Sequence, residues 1–538
     1  DLLTAVYSAN YFMRMYRGTS LRVNDFTAIG TATKVAGAYD LSPDEKLAIV
    51  WAILIFFTVW SLQTVVWKKR GKEDDCERKI LPGRILSYVI SVSAAIGILW
   101  WGGYKLLYTD YLNEAGFADE GLRGFEYELI YAFDGYMVAT CIEIQNSRIS
   151  PPPGYSVETV ENILSEAERL AADNREKQQT VEDEGEYPHV ILIMNESLAD
   201  LTILDGVELN QDNMPFLRSL KENTVRGFVN ASVFGGGTAN TEFEVFTGCS
   251  TAFFSVNYYP YQQAITRPIN SMVSQMKKNG YTTISMHPER PGNWNRQNVY
   301  KFYGFDRSLW KADFPDARII HSGVSDADTY RKIMDLYESR ETGEKLFVFD
   351  LTMQNHGGYD MHEEPYAVQA LNVHEAQVDE YLSLVKISDE AFRELVEYFE
   401  KQDEKVIICM YGDHQPWVSE FLVSDNLKEG SEASEALLNK YRTPFVIWAN
   451  YDIEEADDCN ISMNYLGGLL MRTAGIPVSP FFDYLERLSE EYPVITTNGY
   501  MDDQGGYHGW SGESNEFEEY RMIQYNYLYD NDTVEWGF

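Results

Sequence analysis

Glu196, Asp413 and His414 each follow directly on an apolar run, HVILIMNE for the first and KVIICMYGDH for the other two. Carboxylate and imidazole donors placed this way can share one divalent cation. The mixed oxygen and nitrogen set suits Mn²⁺ best, with Mg²⁺ or Zn²⁺ as alternatives. Between them lies FGGGTANTEFEVFTG, in which three glycines precede Thr238 and a helical pattern follows it. A threonine at a helix N-terminus sits where backbone N–H groups and the helix dipole attract anions. Its hydroxyl is a weak nucleophile until deprotonated, and direct coordination to a cation achieves that. Thr238 is therefore a candidate nucleophile and fourth metal ligand. The plainer reading is that Thr238 caps the helix, with Thr241 and Glu244 at capping-box spacing.

A second cluster, HPERPGNWNR, holds His287, Trp294 and Arg296. Arginine offers a planar fork for phosphate, and tryptophan a wall against which a small polyol can stack. Asn195, Asn355 and His356 also stand at the ends of apolar runs.

The elements that must position these groups alternate. Short apolar segments (HVILIMNE, TTISMH, KLFVFDLTM, KVIICMYGDH and PFVIWAN) read as strands, and MPFLRSLKEN, NSMVSQMKKNG and DEAFRELVEYFEKQ as helices. Continuous apolar strands separated by helices predict an α/β fold, a mainly parallel sheet flanked by helices on both faces. In such sheets ligands bind beyond the carboxyl ends of the strands, which is where the candidate residues fall.

Composition excludes some functions. With 83 Asp+Glu against 44 Lys+Arg the net charge is −39, which repels nucleic acid and gives no general attraction to anionic lipid. A phosphate-bearing substrate must be captured by a local site. The five cysteines never form a CxxC pair, which argues against a disulfide scaffold and a zinc–cysteine centre.

Residues 1–150 read as a membrane region. The uncharged runs 47–67 and 85–104 each reach the ~20 residues that a transmembrane α-helix needs. The loop between them holds seven Lys/Arg, so it is expected in the cytoplasm and the chain after about residue 108 outside it. The chain opens on Asp1 and LLTAVYSANYFMRMY reads as the end of a further helix, so upstream spans are expected. Residues 151–187 read as a solvated helix and linker, and 188–538 as the catalytic domain. The acidic tail from Asp502 suits either a closing helix or a partner-binding surface.

In order and spacing MNES, Gly-rich-Thr-x-x-x-Glu-Phe, His-x6-Trp-Asn-Arg, Asn-His and Gly-Asp-His resemble lipoteichoic acid synthases and related phosphoglycerol transferases of the alkaline phosphatase/sulfatase superfamily. The similarity covers roughly residues 187–485, and the layout of the membrane region is also similar. It implies a multi-pass protein of the cell membrane with an extracytoplasmic catalytic domain. It assigns one Mn²⁺ to Glu196, Thr238, Asp413 and His414, and substrate binding to His287, Trp294, Arg296 and His356. The implied reaction takes phosphoglycerol from phosphatidylglycerol onto Thr238 and then onto lipoteichoic acid or another envelope glycolipid or polymer acceptor, with His356 and His287 as the candidate general acid/base groups. Alternatives are a phosphoethanolamine transferase or phosphodiesterase of the same superfamily, and a catalytically inactive ectodomain that binds envelope polymer. A sulfatase activity is not expected, because the chain has no Cys/Ser-x-Pro-x-Arg nucleophile segment.

Overall fold

The computed structural model describes residues 149–178, 187–204, 207–254, 258–359, 366–423, 439–510 and 517–534, with a few isolated residues before residue 53. The two apolar runs 47–67 and 85–104 lie outside these except for Trp51 and Ala52. Among the described residues no helix is long and apolar enough to cross a membrane. The description below concerns the unit that runs from Ser150 to Trp510 and resumes at Ser514.

Among the described residues ten strands precede the C-terminal region: β1 (His189–Asn195), β2 (Thr224–Asn230), β3 (Tyr281–His287), β4 (Arg307–Trp310), β5 (Ile319–Ile320), β6 (Gly323–Val324), β7 (Lys345–Leu351), β8 (Val406–Gly412), β9 (Arg442–Ala449) and β10 (Ala456–Ser462). Eight of them form one sheet in the order β10-β2-β9-β8-β1-β7-β3-β4, and β5 pairs with β6 in a separate hairpin. Every pairing in the large sheet is parallel except those of β9, which runs antiparallel to both β8 and β2. The expected parallel sheet is therefore present, with one reversed strand inside it.

The central strands are apolar without interruption because both faces are covered. Along β1, Val190, Leu192 and Met194 enter one core while Ile191 and Ile193 enter the other. In β8, Ile407, Cys409 and Tyr411 alternate in the same way with Val406, Ile408 and Met410. Side chains of successive strand residues point to opposite faces, so a strand buried on both sides reads as a continuous apolar run. The strands β2 (TVRGFVN) and β10 (ADDCNIS) lack such runs because each is only partly buried, and the sequence reading did not find them.

The helix Val157–Gln178 departs from the expected solvated linker. Val160, Leu164 and Ala167, spaced as one helical stripe, are buried in the first core, while Glu158, Glu161, Glu166, Glu168 and Arg169 are exposed. At the other end the helix Glu518–Tyr529 buries Tyr520, Ile523 and Tyr527 in that core, so this part of the tail is a closing helix. A small sheet of β11 (Val494–Thr496), β12 (Gly499–Met501) and β13 (Tyr507–His508) precedes it.

One carboxyl inside the sheet has a consequence for stability. Asp350, buried in β7, is pushed up to about 8, chiefly by burial, with the Thr329 hydroxyl opposing and Asp326 adding to the shift. In the unfolded chain it ionises near 3.8. Between those pH values only the unfolded state has lost the proton, so stability falls as pH rises, by up to ~1.4 kcal/mol per pH unit, and levels off above about pH 8. Asp350→Asn removes that slope. Its gain in melting temperature over the wild type is expected to be larger at pH 8 than at pH 5, and equal shifts at both would contradict this account.

Candidate active site

Strands β1 and β8 are parallel neighbours in register, with Asn195 opposite Gly412. The residues that follow, Glu196 on one strand and Asp413 on the other, must therefore emerge side by side. Ser197 turns the chain with a left-handed φ of 54°. That turn aims its N–H at Asp413 Oδ1, 2.7 Å away, while its hydroxyl donates to Glu196 Oε1 at 3.0 Å. The His414 N–H also donates to Asp413 Oδ1, at 2.9 Å.

The remaining ligand atoms are left facing one another. His414 Nδ1 lies 3.0 Å from the Gln415 carbonyl, so it carries the proton and Nε2 keeps its lone pair. Nε2 is 3.2 Å from Asp413 Oδ2 and 3.8 Å from Glu196 Oε1. Asp413 Oδ2 and His414 Nε2 are buried and make no hydrogen bond. Acceptors cannot satisfy one another, and burial of such a set is costly unless a cation joins them. Ligand atoms from Glu196, Asp413 and His414 all lie within 4.8 Å of one another. Burial and the neighbouring Asp413 raise the Glu196 carboxyl to about 8. The donor set thus fits a divalent cation with oxygen and nitrogen ligands.

The glycine loop reaches the same place. Gly235, Gly236 and Gly237 all have positive φ, at 64°, 151° and 92°. At Gly237 a Cβ would meet the Val233 side chain at 2.9 Å, so a larger residue would be both strained and crowded. The helix Thr238–Thr247 is capped by Gly237, and Thr238 is its first residue. Thr238 is therefore not the cap, which corrects the plainer reading. Glu244 closes no capping box either: its Oε1 accepts from Ser232 Oγ and from both N–H and Oγ1 of Thr251.

Two ties hold this helix start against the Asp413 loop. Gly235 N–H donates to the Gln415 carbonyl at 3.1 Å, and Thr241 Oγ1 donates to the Asp413 carbonyl at 2.9 Å. Thr238 lies between the two ties, and its hydroxyl makes no hydrogen bond among the described residues. Thr241 is fully buried and committed to a structural bond.

The second cluster is more constrained than its sequence suggested. His287, at the end of β3, is buried, with Nδ1 3.2 Å from the Leu351 carbonyl and Nε2 3.4 Å from Arg296 Nη1. Burial, reinforced by the Arg296 charge, holds its pKa well below the usual histidine range, so it is neutral, donating through Nδ1 and accepting through Nε2. Arg296 is not a free fork, because its Nε and Nη2 both donate to Glu242 Oε1. Trp294 and Asn295 carry left-handed φ values of 53° and 62°, and the Trp294 ring packs 5.0 Å from that of Tyr259.

His356 is half-buried, and its pKa falls below the ordinary value through burial, with Asp413 the main opposing influence. Its carbonyl accepts from His321 Nε2 at 3.0 Å, and His321 Nδ1 pairs with Glu380 Oε1 at 3.0 Å. Asn195 and Asn355 belong to a polar network beneath the site. Asn355 donates to Asn195, Asn195 to Asp326, and Ser388 to Asp326. Their side-chain amides are used within the protein, as scaffold.

Residues 188–476, more than half of the chain, match the sulfatase family. The chain belongs to that family. A Rhizobium meliloti protein named for cyclic beta-1,2-glucan modification is 29% identical to this sulfatase-family chain over 378 residues, 68% of the chain and 56% of that protein. The lipoteichoic acid synthase of Staphylococcus aureus USA300 is 25% identical over 312 residues, 54% of this chain and 45% of the synthase. The chain thus spans about half the length of these relatives. The Streptococcus pyogenes phosphoglycerol transferase GacH, solved in complex with sn-glycerol-1-phosphate, has the same alkaline phosphatase-like fold. It superposes with a TM-score of 0.56 at 24% identity, over 70% of this chain and 95% of GacH.

Four residues of this sulfatase-family site went unread in the sequence. Ser197 and Glu242 lay inside quoted motifs, but nothing in their spacing indicated a bond to Glu196 or Arg296. His321 and Glu380 are 59 positions apart and only the fold makes them a pair.

Proposed function

We propose that this chain is a metal-dependent phosphoglycerol transferase that uses Thr238 as its nucleophile. The observation that carries the reading is the buried trio Glu196, Asp413 and His414, whose ligand atoms converge beside the start of the Thr238 helix with Asp413 Oδ2 and His414 Nε2 making no hydrogen bond. A divalent cation held there, Mn²⁺ by preference, supplies Lewis-acid stabilisation and lowers the pKa of a coordinated hydroxyl. Glu196, Asp413, His414 and Thr238 are the residues that would hold it.

The Thr238 oxygen attacks the phosphorus of phosphatidylglycerol. A Thr238 O–P bond forms, the P–O bond to diacylglycerol breaks, and diacylglycerol leaves with a proton. An acceptor hydroxyl then attacks the same phosphorus. The Thr238 O–P bond breaks, phosphoglycerol passes to the acceptor, and Thr238 regains a proton. Arg296 Nη1 and Trp294 bind the glycerol phosphate. His356, half-buried near Asp413, moves the proton, and neutral His287, whose Nε2 accepts from Arg296 Nη1, aligns that guanidinium with the phosphate group. Support for the glycerol phosphate comes from GacH, solved with sn-glycerol-1-phosphate, and from the lipoteichoic acid synthase relative. The acceptor on this reading is a hydroxyl of lipoteichoic acid or another envelope glycan. The runs 47–67 and 85–104 anchor the catalytic unit on the outer face of the membrane, next to its lipid donor.

The test is to incubate the full chain in detergent with Mn²⁺ and phosphatidylglycerol bearing a fluorescent acyl chain, and to follow diacylglycerol. Release from phosphatidylglycerol but not from phosphatidylethanolamine is the expected result. Release from phosphatidylethanolamine alone would turn the reading to a phosphoethanolamine transferase. A folded, Mn²⁺-binding protein that releases nothing from either would leave the polymer-binding alternative.

A further inference from the structure

Arg296 is the guanidinium of the site, and its charge is already matched. Its Nε and Nη2 donate to Glu242 Oε1 at 2.8 and 2.5 Å, with the two side chains 3% and 0% exposed. Glu242 Oε2 is held in turn by the hydroxyls of Tyr300, at 2.7 Å, and Tyr261, at 3.3 Å. Opposite charges in contact and out of water cancel almost completely at any distance a substrate occupies. What Arg296 still offers is Nη1, the edge 3.4 Å from His287 Nε2. That edge is a directed hydrogen-bond donor with little net charge behind it.

The neighbouring imidazoles add no charge. His287 is neutral for the reasons given above, and burial lowers the basicity of His356 as well. Among the described residues, Arg296 paired with Glu242 and the uncharged His287 and His356 therefore bring no net positive charge to the phosphate subsite, apart from the metal-binding trio. A phosphodiester brings one negative charge to such a subsite, and a phosphate monoester brings two near neutral pH. A second uncompensated charge in a buried site is strongly disfavoured.

We propose that Glu242 sets the substrate class: by neutralising Arg296 it makes the site a receptor for monoanionic phosphodiesters and disfavours dianionic phosphate monoesters. Glu242 touches neither substrate nor metal in this scheme and is a specificity-determining residue that acts through Arg296. The inference rests on the phosphoryl-transfer reading of the same site.

The test compares kcat/KM for bis-p-nitrophenyl phosphate and p-nitrophenyl phosphate, in Mn²⁺, for the full-length wild type and the variants Glu242→Gln, Glu242→Asp and Tyr300→Phe. The wild type is expected to prefer the diester. Glu242→Gln leaves Arg296 a net cation, and its diester-to-monoester ratio is expected to fall about tenfold or more. The Asp and Phe variants keep the carboxylate and should stay within about threefold of the wild-type ratio. Calorimetry of inorganic phosphate on chelator-treated protein gives a readout independent of turnover, in which Glu242→Gln is expected to bind about fivefold or more tightly than wild type.

A wild type that prefers the monoester overturns the proposal without reference to any variant. So does a Glu242→Gln protein that melts like Tyr300→Phe yet keeps the wild-type ratio and phosphate affinity. If the wild type turns over neither ester, the phosphotransferase reading fails, while the phosphate titrations still decide the role of Glu242.

Discussion

Thr238→Ala is expected to reduce diacylglycerol release by on the order of a thousandfold or more, while Thr241→Ala loses no more than about tenfold. The two threonines stand one turn apart on the same helix and differ in what their hydroxyls do. Thr241 Oγ1 is spent on the Asp413 carbonyl, so its removal costs a hydrogen bond, roughly 1–2 kcal/mol of stability, and slightly loosens the loop that carries Asp413 and His414. Thr238 is the first residue after three positive-φ glycines, and its hydroxyl is uncommitted. Time courses of lipid cleavage, with melting temperatures for both variants, separate the two roles. The account is refuted if Thr241→Ala is the dead variant and Thr238→Ala remains active.

Asp413→Asn is expected to weaken Mn²⁺ binding by on the order of a hundredfold or more, and Ser197→Ala by roughly tenfold to a hundredfold. Asp413 uses Oδ1 for the N–H groups of Ser197 and His414, which fixes the carboxylate and leaves Oδ2 for a cation. An amide at that position puts an NH₂ against either the backbone donors or the metal, and both arrangements are unfavourable. Ser197 acts one shell out, through its bond to Glu196 Oε1. Its loss leaves the ligand in place but free to rotate. Calorimetric or electron-spin-resonance titration with Mn²⁺ reads both effects without substrate. Unchanged affinity in Asp413→Asn would remove the trio from consideration as the metal centre.

The sequence by itself determined five of the eight strands of the sheet and most of the residues of the candidate site. The five strands it marked, β1, β3, β7, β8 and β9, are the ones buried on both faces, where packing demands an unbroken apolar run. The strands it left out are short or half-exposed: β2, β4 and β10 carry arginine, glycine or aspartate, and pairing with neighbours makes them strands despite their composition. Polar residues straight after apolar runs marked Glu196, His287, His356, Asp413 and His414, because parallel strands deliver their carboxyl ends to one side of the sheet.

Only the tertiary structure decided which of those ends are neighbours. Register between β1 and β8 puts Glu196 beside Asp413, although 217 positions separate them. The fold also settled roles that residue type leaves open. Thr241 is tied to a carbonyl and Thr238 is not; Asn195 and Asn355 brace the floor; Arg296 arrives already paired with Glu242. Local sequence encodes what a segment buries, since that depends on the spacing of its own apolar residues. What a buried polar group bonds to depends on which distant segment lies against it, and that is fixed only when the sheet order and register are in place.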